Sequence, residues 1–281
     1  MSFFTKNQIN NIVKISLEAG EIAKNFFYSR NFTINKKSDN SDVSSADIAI
    51  SDFIYNQLGK LFPQIPIICE EKSKLSISGE YFFLIDPIDG TAGYVNNSDQ
   101  FSINIALIGN KKPLFGLIYA PIFENGKIFY NDENQNIIKY DNLLDKLTNY
   151  LSSKDDLSKL IPQKISDRSN LENKLTLITS KRSSDKDIEN FITQYYSKYI
   201  EKYQVKKLSS AVKFFDLLQG NSDIYIHFNQ TMEWDIAAGH SLVELINFRI
   251  KTISKNNNLF NIGHDLNYGK ENYLNSGFII S

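Results

Sequence analysis

Apolar positions recur at helical steps in two early segments. Over residues 8–27, Ile9, Ile12, Val13, Leu17, Ala19, Ala23, Phe26 and Phe27 fall on one side of a 3.6-residue repeat, which predicts a first helix. Ala46, Ala49, Ile50, Phe53, Ile54, Leu58 and Leu61 form a second stripe. Ser44 and Asp47 stand before it at the spacing of a capping box, in which each side chain takes an amide of the other. From residue 81 the pattern changes. Tyr81-Phe82-Phe83-Leu84-Ile85 is an unbroken apolar run and reads as a buried strand, with a buried helix segment the alternative that periodicity alone leaves open. Shorter β-rich runs follow at 101–108, 114–119 and 127–130, with Gly109-Asn110 and Asn125-Gly126 marking turns between them. Residues 131–173 are polar and read as a join, carrying a helix near 143–151. Beyond it, strands at 175–179, 205–208 and 224–228 alternate with helices at 187–199, 210–218 and 235–246, the pattern of an α/β unit. The expected division is an α+β N-terminal part over 1–135 and an α/β C-terminal part over 136–281.

The acidic residues at the ends of these elements change the picture. Asp86-Pro87-Ile88-Asp89-Gly90-Thr91 closes the longest apolar run. Pro87 lacks an amide donor, so the strand is expected to stop there. Gly90-Thr91 then suits a helix start whose N–H groups face an anion. Cys69-Glu70-Glu71 ends a second apolar stretch, Ile65 to Ile68. Glu233-Trp234-Asp235-Ile236-Ala237-Ala238-Gly239 comes much later; Asp235 stands where a helix N-cap would be, and small residues behind it leave room for a ligand to approach the backbone. Taken singly, each is an ordinary turn, surface pair or cap. Carboxylates at element ends in three segments suit a hard divalent cation such as Mg²⁺, with Mn²⁺ as substitute, whereas zinc would call for His or Cys.

Composition narrows the partners. The 281 residues carry 31 basic and 32 acidic side chains, a formal net charge of -1, with no long basic tract, so a nucleic-acid polymer is not expected. A small phosphorylated substrate remains compatible. Cys69 is the only cysteine, which excludes an intrachain disulfide and suits a reducing compartment. The first residues lack the apolar core of a signal peptide, and no apolar run approaches the ~18 residues of a membrane span. A cytoplasmic protein, monomeric or homodimeric, is the expectation. Cys69, Trp234 and His240 read as packing rather than chemistry.

The order Glu70-Glu71, Asp86-Pro87-Ile88-Asp89-Gly90-Thr91, Trp234-Asp235-Ile236-Ala237-Ala238-Gly239 resembles the magnesium-dependent, lithium-sensitive inositol monophosphatase superfamily, over nearly the whole chain. Lys37-Ser38-Asp39-Asn40-Ser41-Asp42, Ser209-Ser210-Ala211-Val212-Lys213-Phe214 and Trp234 through His240 are similar to its bacterial 3'(2'),5'-bisphosphate nucleotidase branch. The resemblance implies a layered αβαβα sandwich of the sugar-phosphatase type. It also implies two or three Mg²⁺ ions held by Glu70, Asp86, the Ile88 carbonyl, Asp89 and Asp235, with Li⁺ inhibitory. Thr91 would activate water together with an upstream aspartate, either Asp39 or Asp47. Substrate would contact Glu70, Ile88, Asp89, Gly90, Thr91 and Asp235, with Arg182, Ser183, Ser209 and Lys213 reading the second phosphate or the sugar.

The activity so implied is removal of the 3'-phosphate from adenosine 3',5'-bisphosphate or its sulfated form. The same chemistry on inositol monophosphate or another small sugar phosphate is the alternative, and a non-catalytic phospho-ligand binding protein a further one. Three departures bear on substrate: Ala92-Gly93 replace the branch's Lys-Glu, Ser184 replaces a His, and Leu208 replaces a Gly. None touches an implied metal ligand.

Overall fold

The computed structural model describes residues 3–36, 42–72, 79–144, 163–164, 175–199, 201–257 and 259–281. Helix α1 (Lys6–Ser29) starts a little before its apolar stripe because Thr5 and Gln8 form a capping box, and it ends where Arg30 turns left-handed at φ 56°. Helix α2 (Ser45–Leu61) opens on the box that Ser44 and Asp47 were expected to make.

Both helices cover one face of a seven-stranded sheet. Its strands run in the order Ile67–Cys69, Tyr81–Asp89, Ser102–Gly109, Lys112–Ala120, Lys127–Asn131, Ile137–Asp141, Gln163–Lys164. The first pair is parallel and the others antiparallel. Side chains alternate between faces: Phe83 and Ile85 pack with the Ile12, Val13 and Ile50 core of α1 and α2, while Phe82 and Leu84 join a second core on the other side. Both faces are covered, which explains an apolar run without alternation.

The second core is filled by α5 (Val212–Leu218) and α6 (Glu233–Glu244), which lie between this sheet and a six-stranded one. The six strands run Tyr203–Leu208, Leu175–Ser180, Ile224–His227, Gly277–Ile280, Ile250–Asn256, Leu259–Asp265. A third core, including Ile188, Phe191 and Ile192 of α4 (Asp185–Tyr195), covers its outer face. Helices, sheet, helices, sheet, helix: this is the layered αβαβα sandwich. The short helix α3 (Thr91–Val95) lies at the end of the strand Tyr81–Asp89.

Several local expectations need correction. The strand from Tyr81 does not stop at Pro87 but continues to Asp89, with a register shift between Asp86 and Asp89. A bulge tolerates the missing amide, so proline bends the strand instead of ending it. The stretch expected to be a polar join holds the strand Ile137–Asp141, paired with Lys127–Asn131. The helix expected over 143–151 falls mostly outside the described residues. The expected helix at 187–199 divides into α4 and a 3₁₀ turn, Ser197–Tyr199. The hairpin Ile250–Asn256 and Leu259–Asp265 and the strand Gly277–Ile280 had no counterpart in the pattern reading.

Candidate active site

Strand register brings the first two acidic segments together. Cys69 pairs in parallel with Ile85, and the Glu70 amide donates to the Ile85 carbonyl at 3.1 Å. Glu70 therefore lies alongside Asp86, which is 1% exposed. The bulge then carries the chain over Ile88 to Asp89, opposite Ser102. Gly90 follows at φ 91°, a left-handed turn that glycine adopts without strain. A Cβ on Gly90 would lie 3.0 Å from the Gln100 carbonyl and 3.2 Å from the Ser210 Cβ. The loop of Ser209 and Ser210 is thus pressed against the Asp-Gly-Thr turn, and Gln100 Oε1 accepts from the Ser209 amide at 3.1 Å.

Thr91 makes the decisive contact. Its hydroxyl lies 2.9 Å from Asp47 Oδ1 and 3.1 Å from the Ile88 carbonyl. Asp47 Oδ2 accepts from the Ser44 amide at 2.8 Å and the Ser44 hydroxyl at 2.5 Å. The helix cap and the threonine contact use different oxygens of one carboxylate. Asp39, the other candidate partner of Thr91, lies outside the described residues. Helix α3 holds only five residues, so few aligned peptides add to the anion attraction expected at its start.

Asp235 arrives from α6, but not as its N-cap. Met232 occupies the cap, and Asp235 is the third helical residue, its Oδ2 accepting from the Met232 amide at 2.8 Å. The small residues behind it serve packing, not ligand approach. A Cβ on Gly239 would fall on the Phe214 ring, and one on Gly116 would fall on the Ala238 carbonyl, so α6 sits flush between α5 and the sheet. Glu233, fully buried, anchors the same helix start by accepting from the Gly269 and Lys270 amides at 2.8 and 3.0 Å.

Burial and repulsion between these carboxylates raise their proton affinity. Asp86 is pushed well above the usual range by burial, then by Glu70, Asp89, Asp235 and Asp47. Asp235 rises well above it too, by burial and the charges of Asp89 and Glu70. Asp89 rises to about 6: burial outweighs the relief from Lys213, the Ala211 amide and Asn104. Asp47 rises by burial, against the lowering effect of its Ser44 and Thr91 bonds. Lys213, 5% exposed, donates to the Ser210 carbonyl and lies 5.5 Å from the Tyr225 ring centroid. Its ammonium falls to about 8, driven by burial and held up by Asp89 and Asp235.

Gathered, buried, mutually repelling carboxylates fit a multivalent cation. Asp86 Oδ1 is buried and accepts no hydrogen bond among the described residues, an orphan acceptor that a cation would satisfy. Among the described residues no three His, Cys, Asp or Glu side chains stand at coordinating positions around one point. The fit therefore rests on the charge gathering and that orphan oxygen.

Arg182 and Ser183 belong to the turn after Leu175–Ser180. The Arg182 side chain is exposed, whereas the Ser183 hydroxyl is buried 2.6 Å from Thr179 Oγ1. The sequence reading missed Gln100, Asn104 and His227. Asn104 is the cross-strand partner of Asp86, a signal that needs the register rather than the sequence. Cys69 is buried against Ser51, its thiol pushed up to about 11 by burial. His240 and Trp234 are each 3% exposed, and all three fit the packing role expected of them.

A sequence model of the inositol monophosphatase family matches residues 6–262. The chain belongs to the inositol monophosphatase family. Within it, the chain is 28% identical over 284 residues to the 3'(2'),5'-bisphosphate nucleotidase CysQ of Buchnera aphidicola, covering 98% of this chain and 94% of that one. The crystal structure of CysQ from Bacteroides thetaiotaomicron superposes with a TM-score of 0.73 at 20% identity, covering 99% and 98% of the two chains. A lithium chloride-soaked inhibitory complex of Staphylococcal inositol monophosphatase-1 superposes at 0.69 and 18% identity, over 100% and 92%. These likenesses show the family's sandwich fold.

Proposed function

We propose that this member of the inositol monophosphatase family is a Mg²⁺-dependent phosphomonoesterase that removes the 3'-phosphate of adenosine 3',5'-bisphosphate or its sulfated form. The observation that carries the chemistry is the Thr91 hydroxyl bonded to Asp47 Oδ1 at the edge of the buried carboxylates. The substrate class is supported by the CysQ nucleotidases that the chain resembles over almost their full length. Glu70, Asp86, the Ile88 carbonyl, Asp89 and Asp235 would hold the ions, with Mn²⁺ as substitute and Li⁺ as inhibitor. When bound, divalent cations neutralise phosphoryl oxygens and lower the pKa of water.

The chain's own residues supply the rest. Asp47, its proton affinity raised by burial, is a stronger base than a solvated aspartate. It takes a proton of the attacking water, either directly or through the Thr91 hydroxyl, while its other oxygen stays fixed by Ser44. As the water oxygen bonds to phosphorus the bond to the 3'-oxygen breaks, and that oxygen leaves as a hydroxyl protonated from solvent. Gly90 and Thr91 face the scissile phosphate. Lys213 adds positive charge beside Asp89 and Asp235, and Ser209 and Arg182 complete the approach for the second phosphate. The Ser183 hydroxyl, expected to share that role, is instead buried and donates to Thr179 Oγ1, whose own hydrogen goes to the Ile226 carbonyl. Residues 1–135 in this reading hold most of the ion ligands, and residues 136–281 bring Asp235 and the substrate contacts. The buried free thiol of Cys69 supports a cytoplasmic setting, and no helix among the described residues is long and apolar enough to cross a membrane.

The test is phosphate release from adenosine 3',5'-bisphosphate and from inositol 1-phosphate at equal concentration, with and without Mg²⁺. Mg²⁺-dependent preference for the nucleotide is the expected result. Preference for the inositol ester would move the substrate assignment, and no release from either would overturn the enzyme reading.

A further inference from the structure

Helix α3 cannot hold itself in place. Five residues are far below the ~12–15 at which an isolated helix becomes even marginally stable in water. Ala92 and Gly93 inside it have no side chain that can anchor it, and glycine weakens a helix further. Yet its first residue, Thr91, presents the hydroxyl bonded to Asp47. The support comes from the end of α1. The Tyr94 hydroxyl donates to the Ala23 carbonyl at 2.7 Å, and its ring packs against Phe27, Phe32 and Phe101.

Arg30 supplies the second anchor. Its guanidinium donates to the Tyr94 carbonyl at 3.3 Å and to the Val95 carbonyl. These are the last carbonyls of α3, where a cation is also electrostatically favoured. The fork of the guanidinium can bridge two acceptors at once, which an ammonium on a flexible stem does poorly. The same group lies 4.9 Å from the Phe32 ring centroid and 5.7 Å from that of Phe27, so its direction is set by two aromatic faces.

The backbone gives a second, independent reason to single out Arg30. It closes α1 at φ 56°, with its amide donating to the Phe26 carbonyl at 2.9 Å. That left-handed position favours glycine or asparagine, and a long side chain there gains nothing from the turn itself. What it gains is the reach across to α3.

We propose that Arg30 is a positioning residue: it clamps the C-terminal carbonyls of α3 and so fixes the Thr91 hydroxyl against Asp47 for hydrolysis. The inference rests on the phosphatase reading above, and Arg30 acts through the α3 backbone. The test compares Arg30→Gly and Arg30→Lys with the parent in the full chain. Arg30→Gly keeps the left-handed cap of α1, so the helix pair survives while the clamp is lost. The expected result is a fall in kcat of at least about tenfold, the scale on which small misplacements of reacting groups are felt. KM should stay within about twofold, as for an interaction that matters in the transition state alone. Amide exchange should accelerate over residues 91–95 and not over 6–29, and millimolar methylguanidinium should restore part of kcat. Arg30→Lys should fall between parent and glycine variant. A glycine variant with kcat within about twofold of the parent, unchanged exchange over 91–95, or exchange that rises equally along α1 would overturn the proposal. Should the parent hydrolyse no phosphomonoester at all, the phosphatase reading fails, and exchange alone then decides whether Arg30 clamps α3.

Discussion

The Thr91 hydroxyl and Asp47 Oδ1 stand 2.9 Å apart, while Asp47 Oδ2 is occupied by Ser44 at the start of α2. One carboxylate thus joins a helix cap to a hydroxyl beside the acidic cluster, and the two roles can be separated by substitution. Asp47→Asn leaves one oxygen for the cap but turns an amide donor toward Thr91, or the reverse. Its kcat should fall about 10²- to 10⁴-fold, the usual worth of a positioned acid–base group. Stability should change by no more than about 1 kcal/mol, the usual worth of a cap. Thr91→Ser keeps the hydroxyl and should retain most of the activity that Thr91→Val loses. Steady-state kinetics beside urea unfolding check this, and a Thr91→Val enzyme as active as the parent would exclude the pair from catalysis.

Asp86 is buried among like charges, with Oδ1 unbonded among the described residues. A site built this way trades stability for function. Asp86→Asn removes one of the repelling charges. In chelator it should therefore unfold at higher temperature than the parent, although it has lost turnover. Mg²⁺ should raise the melting temperature of the parent by mass action and leave that of the variant nearly unmoved. Calorimetry with and without Mg²⁺ reads both effects, and an Asp86→Asn chain less stable than the chelated parent would contradict the charge argument.

His227 gives a pH signature separate from the carboxylates. Its ring stacks on Phe278 at 5.5 Å and 7°. Burial, with the nearby charges of Lys213 and Arg182, lowers its pKa from 6.5 to about 4. The folded chain holds the neutral ring while the unfolded chain binds a proton below 6.5. The stabilising contribution is therefore complete above that value and is lost as pH falls from 6.5 toward 4. Linkage sets the loss between pH 7 and pH 5 at about 2 kcal/mol. His227→Gln should lose that much less over the same interval, as measured by urea midpoints at the two pH values. Parallel pH profiles for parent and variant would assign the acid sensitivity elsewhere.

How far the sequence could be read depended on how local the cause was. Helices α1 and α2, the capping box of Ser44 and Asp47, and the alternation of strands and helices from Leu175 to Leu218 all follow from spacing within one segment. That Glu70 and Asp86 serve one site follows from carboxylates at element ends as well as from the family pattern, but how they meet depends on the parallel pairing of Cys69 with Ile85, which no local signal fixes. Pro87 misled because its cost is a missing amide bond, and a bulge removes the need for that bond. Asp235 was misplaced by three positions from the cap for a similar reason: an Asp at the third helical residue makes the same hydrogen bond in reverse. The C-terminal strands were missed because Ile250–Asn256 and Leu259–Asp265 lie at the margin of their sheet, with many exposed polar positions and a weak period.

Gly116 tests whether the sandwich, rather than any ligand residue, sets the position of Asp235. It lies in the strand Lys112–Ala120, under α6, where an added Cβ would fall on the Ala238 carbonyl. The neighbour is backbone, so it cannot rotate away, and Gly116→Ala must lift the helix. The Gly116 amide also donates to Asn131 Oδ1 at 2.8 Å, which holds the strand from moving in the other direction. Overpacking of this kind costs about 1–3 kcal/mol. Because α6 carries Asp235 near its first turn, the displacement should also raise the Mg²⁺ concentration needed for half-maximal activity, with Asp235 itself unchanged. Titration of activity with Mg²⁺, read beside the melting temperature, separates the two consequences. A Gly116→Ala enzyme that is destabilised but keeps the parent's Mg²⁺ requirement would show that Asp235 is positioned by its own turn, through Met232 and Glu233, and not by the seating of α6 on the sheet.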